Sequence, residues 1–87
     1  MRWKNFNEWK AYATATLMQL LAKAEQEDNV KLVSDINALL TRLRYLRGRD
    51  LSNFLLDVHT VRKYHGLQEL MNIIPTQEEI LPFIRGE

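Results

Sequence analysis

Residues 30–49 read VKLVSDINALLTRLRYLRGR, and the spacing of their apolar side chains decides the fold. Leu32, Ile36, Leu39, Leu43 and Leu46 are separated by steps of four, three, four and three, with Val33 and Leu40 broadening the stripe. Such steps keep side chains on one face of an α-helix, so that face must be buried against another helix, the chain's own or a partner's. The segment ends in a basic cluster, Arg42, Arg44, Arg47 and Arg49, with no acid between Asp35 and Asp50. A helix with a packing face and a cationic end suits binding, and Gly48 is a natural stop for it because glycine accepts the left-handed backbone there.

Upstream, Phe6, Trp9, Ala13, Leu17, Leu20, Leu21 and Ala24 form a second stripe, predicting a helix capped by Asn5 or Asn7 and running to Lys23 or Glu25. The acids of Glu25-Gln26-Glu27-Asp28-Asn29 suit the positive start of a following helix better than the negative end of this one. The break therefore falls there, with Asp28 or Asn29 as the next cap, and the two helices form an antiparallel hairpin burying Leu17, Leu20, Ile36, Leu40 and Leu43.

Downstream, a third helix begins at Asp50 or Ser52, carries Leu51, Phe54, Leu55, Val58 and Val61 inward, and ends at Gly66. A fourth helical segment covers Leu67 to Ile74, presenting Leu67, Leu70, Met71 and Ile74, before Pro75 halts it. Thr76-Gln77-Glu78-Glu79 has the form of a capping box, but Pro82 limits its helix to about one turn. The result is an all-α fold, a small bundle of four to five helices built on the hairpin. Residues 1–87 form a single helical domain, with 75–87 a short capped turn and an apolar docking segment.

Composition sets the limits on function. With 87 residues there is room for one small core, in a size range where association with a partner supports stability. The apolar stripes of four short helices look more than such a monomer can cover, which predicts a homodimer or higher assembly. A hydrophobic fraction of 46% excludes a disordered chain. Cysteine is absent, which rules out disulfides, thiolate chemistry and cysteine-based zinc sites and fits a reducing compartment. Charge interrupts the N-terminal residues too often for a signal peptide, and no window reaches transmembrane length, so a cytoplasmic location is expected. The net charge is +1, but residues 1–49 carry nine Lys/Arg against five Asp/Glu (+4) and residues 50–87 three against six (−3).

Catalytic and metal chemistry find little support. His59 and His65 stand about 240° apart on a helix and cannot grip one ion unaided. A partly exposed histidine and a C-terminal capping histidine account for them. Asp57 and His59 face different ways, and no glycine-rich phosphate loop or activated nucleophile can be assembled. The chain is therefore expected to be no enzyme and to need no cofactor. Helices two and three flank Gly48 in helix-turn-helix order, but Arg44 stands where a small residue is wanted, and the third helix opens with Phe54, Leu55 and Leu56 where groove-facing polar residues belong.

Two candidate surfaces remain. Arg42, Arg44, Arg47 and Arg49, with Tyr45 among them to stack on a base, could engage a polyanion, although cations at a helix end also answer the helix dipole. Trp3, Ile80, Leu81, Phe83 and Ile84 are candidates for docking a partner, because chain ends are ordinarily polar. Ile80, Leu81, Phe83 and Ile84 are expected to pack across the chain's own helices or onto a second subunit, amid an acidic surround of Glu78, Glu79 and Glu87. The expected function is a non-catalytic protein-protein interaction module that self-associates or docks on a larger protein, a small accessory or regulatory protein of bacterial or bacteriophage type. The alternative is a nucleic-acid-binding accessory protein. No membrane partner is expected.

Overall fold

The computed structural model describes residues 2–85, so the expectation for Glu87 lies outside the described residues. Four α-helices, α1 (Phe6–Gln26), α2 (Val30–Arg44), α3 (Leu51–His65) and α4 (Gln77–Ile84), are joined by two 3₁₀ segments, Gly48–Asp50 and Gln68–Ile73. No strand occurs among the described residues.

The hairpin forms where the acidic run interrupts the apolar pattern. Asn5 caps α1, its side chain accepting from the Glu8 amide at 2.8 Å, and Asn29 caps α2 by accepting from Leu32 at 3.2 Å. Asp28 turns the chain between them at φ 54°, a left-handed conformation that Asp tolerates better than most residues. Leu32, Ile36, Leu39, Leu43 and Leu46 are all buried, against Trp9, Ala13, Leu17, Leu20 and Ala24 of α1. Leu40 is half-buried, a correction to its place in the expected core: Leu39 points inward and Leu40 lies about 100° round toward the outside.

α2 stops at Arg44, three residues before the expected end at Arg47. Lys10 of α1 donates to the carbonyls of Arg44 and Leu46 at 3.2 and 3.3 Å, satisfying acceptors that the helix end leaves without partners. Gly48 is not the stop. It opens the first 3₁₀ segment, and a Cβ there would collide with the backbone carbonyl of Phe83, so glycine is needed for the close approach of α4. The expected left-handed glycine is found at Gly66, at φ 66°, which ends α3 with its amide donating to Arg62.

Residues 68–73 adopt a 3₁₀ rather than an α-helix, and the tighter period turns Leu70 and Ile73 inward and leaves Met71 exposed. The Ile73 carbonyl accepts the Trp9 indole N–H at 2.7 Å, so the largest core residue keeps its polar atom bonded. The capping box of Thr76 and Glu79 starts α4, which runs eight residues in place of the single turn expected. Pro82 is accommodated because the one carbonyl it leaves without a helical donor belongs to exposed Glu78.

One aromatic group ties the ends of the chain to the hairpin. Phe6 and Trp9 stack at 5.6 Å, and Phe83 and Phe54 approach Trp9 at 6.3 and 6.2 Å between ring centroids. The main apolar stripes of α1, α2 and α3 are thus buried within one chain, in a core that extends from Trp3 to Phe83.

Candidate interaction surface

The four arginines adjacent in sequence are divided in space. Arg42 pairs with Asp57 of α3 and lies over the Phe54 ring at 5.7 Å. Arg44 lies about 160° away around the helix and lines the seam with α1. Arg47 and Arg49 are exposed on either side of Gly48. Arg44, Arg47 and Arg49 have no ion-pair partner among the described residues.

The docking residues divide likewise. Trp3 is 5% exposed, with the Arg2 guanidinium 4.2 Å above its ring, and Phe83 is fully buried beside Phe6 and Trp9. Both are thereby removed from the accessible surface, because the core of so small a domain needs its aromatic side chains. Ile80 is half-buried; Leu81 and Ile84 remain exposed on α4.

A second surface with exposed apolar residues lies elsewhere, and it was missed in the sequence. An open groove of about 460 Å³ runs along the outside of the hairpin, lined by Thr14, Met18 and Leu21 of α1 and by Asn37, Leu40, Thr41, Arg44 and Tyr45 at the α2 side. One cation and no acid line it. Met18 is 58% exposed, Tyr45 75% and Val30, near the turn end of the same face, 79%. The signal was present as a weaker stripe on α2, since Val30, Val33, Asn37, Leu40 and Arg44 also step by three and four.

The opposite flank of α2, which carries a smaller open groove of about 200 Å³ lined by Asp35, Leu39, Arg42, Asp57 and Val61, is bridged by charge. His65 Nε2 donates to Asp35 Oδ2 at 2.8 Å, and Lys31 donates to Asp35 Oδ1 at 2.9 Å while lying over the Tyr64 ring at 5.8 Å. The His65 side chain is 7% exposed. Its hydrogen bond holds the Asp35 carboxyl below the ordinary carboxylate range against the opposing effect of burial, with Lys31 adding to the shift. His65 is thus a strut between α3 and α2 as well as a residue of the last turn of α3.

A second latch holds the N-terminal arm. Arg2 donates its guanidinium to Glu79 Oε1 at 3.2 Å and to the carbonyls of Asn72 and Ile74, and its backbone amide to Glu79 Oε2 at 3.3 Å. Burial pushes the Glu79 carboxyl up, but the bonds from Thr76 and Arg2 outweigh it and hold it below its ordinary value.

Among the described residues no three metal-ligating side chains cluster, and no helix is long and apolar enough to cross a membrane. In comparisons with protein families, curated proteins and solved structures, no family model, protein or structure matches this chain.

Proposed function

We propose that the protein is a non-catalytic helical interaction module that docks a protein surface on the outer face of its α1–α2 hairpin. One observation carries this reading: the chain buries the main stripes of α1, α2 and α3, yet leaves Met18, Val30 and Tyr45 exposed along one face beside an open groove in which Met18, Leu21, Leu40 and Tyr45 alternate with Thr14, Asn37, Thr41 and Arg44. Apolar residues scattered singly are ordinary on a surface, whereas exposed apolar side chains gathered along one groove point to a site of association. The absence of cysteine supports a reducing, cytoplasmic setting.

The test is site-specific photo-crosslinking in the source cells, with the crosslinker at Met18 or Tyr45 and a control at exposed Leu56 of α3. Docking on the hairpin face gives a protein adduct from Met18 and Tyr45 that survives nuclease and high salt and is absent from Leu56. No adduct from either position overturns the proposal. The second reading, nucleic-acid binding, rests on the exposure of Arg44, Arg47 and Arg49 beside Tyr45. It requires capture that is lost with nuclease and weakens steeply as salt rises.

A further inference from the structure

We infer that the occupant of the hairpin's outer face is a second copy of this chain, docked antiparallel about a two-fold axis that crosses the middle of both helices. The inference rests on the reading of that face as a docking surface and names its partner.

The two ends of the face are complementary to each other. Lys10 of α1 meets the end of α2 at Arg44 and Leu46, so the centre of α2, Asn37, stands level with Leu17 and Met18. Val30 and Tyr45 are the most exposed large apolar residues, at 79% and 75%, and they lie at opposite ends, with Val30 the first residue of α2 and Tyr45 its C-cap. A two-fold rotation exchanges the ends, so Tyr45 of each copy covers Val30 of the other.

Charge selects the same arrangement. Arg44 stands at the open end of the hairpin, and Glu25 stands at the turn end on the stripe of Thr14, Met18 and Leu21, continuing its steps of four and three. Antiparallel docking brings each Arg44 to the end that carries the other copy's Glu25, while parallel docking sets Arg44 against Arg44. Lys31, the cation nearest Val30, is turned away to Asp35 and Tyr64 and does not oppose this.

Size sets the strength. At 21 residues α1 is about 31 Å long, too long for the 20 × 20 Å cross-section, and so lies along the 39 Å dimension. The 31 Å of α1 by the 20 Å width outlines on the order of 600 Å² per copy, below the ~800 Å² per partner of a standard interface. The dimer is therefore weak, forming between micromolar and millimolar concentration, and the isologous contact closes on itself without growing into a filament.

Sedimentation equilibrium of the full chain from about 10 μM to about 1 mM tests this, with circular dichroism verifying the fold of each variant. The wild type rises from monomer to dimer mass. Met18→Lys raises the dissociation constant about tenfold or more, since it places a charge at the centre of the contact, and Leu56→Lys on α3 leaves it unchanged. Arg44→Glu and Glu25→Arg each raise it several-fold, and the double variant R44E/E25R recovers most of the loss. All four positions are exposed, so the fold survives the changes. A monomer mass throughout, or a dimer lost with Leu56→Lys but kept with Met18→Lys, overturns the inference. A double variant no better than the singles overturns the antiparallel pairing. If the chain stays monomeric while a crosslinker at Met18 captures a different protein, self-docking fails and the broader reading of the face stands.

Discussion

The two flanks of α2 meet their neighbours by different means. Toward α3 the seam is stitched by His65 and Lys31 on Asp35 at one end and by Arg42 on Asp57 at the other. Toward the outside of the hairpin, Leu40, Met18 and Tyr45 line an open groove with no acid in it. Both flanks border the same buried stripe, so the core does not explain the difference. The exposed pair of Arg42 with Asp57 adds little stability, and the more buried pair of His65 with Asp35 adds more, while each ties α2 to α3 in one register. The outer flank carries no such ion pairs, and under the proposed function this asymmetry separates a surface finished by the chain itself from one left for association.

The largest expected effect tests whether the buried stripe and the open flank differ energetically. Leu39→Ala, at 3% exposure, should cost about 2–5 kcal/mol in urea or guanidinium unfolding. Leu40→Ala, one position along the helix and half-buried, should cost less than half as much; equal losses would mean that the groove belongs to the core.

Removing the strut on the bridged flank comes next. Asp35→Asn leaves His65, 7% exposed, without its carboxylate, and a loss of about 1–3 kcal/mol is expected. The pH dependence sharpens this. The carboxyl of Asp35 is depressed in the folded state by its bond to His65, so its contribution is complete above the unfolded value of about 3.9 and is lost as pH falls through the lower folded value. The stability gap between wild type and Asp35→Asn should therefore narrow below about pH 4, as read from denaturant midpoints across that window. The smallest effect is expected at Arg42→Ala, where the arginine and Asp57 side chains are 43% and 50% exposed: about 1 kcal/mol or less, falling further with salt.

What the sequence revealed follows from how local each signal was. Helix faces, both asparagine caps, the left-handed Gly66 and the capping box of Thr76 and Glu79 depend on neighbours within one or two turns, and these were legible. Gly48 was misread because a glycine after a helix fits a stop equally well, and the contact that requires it comes from Phe83, 35 positions away. The bond between Asp35 and His65 and that between Arg2 and Glu79 join residues 30 and 77 positions apart, and each residue already had a sufficient local explanation. Of the candidate surfaces, the arginines and the C-terminal apolar residues were legible by type but not by direction. The spread of Arg42 and Arg44 around the helix follows from 100° per residue, but only the packed helices show that Arg42 meets Asp57 and that Phe83 is buried while Leu81 is exposed.

The clasp of Arg2 on Glu79 also bears on the order in which the molecule assembles. The α1–α2 hairpin closes across a turn of a few residues, whereas a contact across 77 positions needs nearly the whole chain gathered first, and loop-closure entropy grows with that separation. The arm and α4 are therefore expected to join last in folding and to part first in native-state opening, with the amides of 77–84 exchanging with deuterium as one unit well before those of the hairpin.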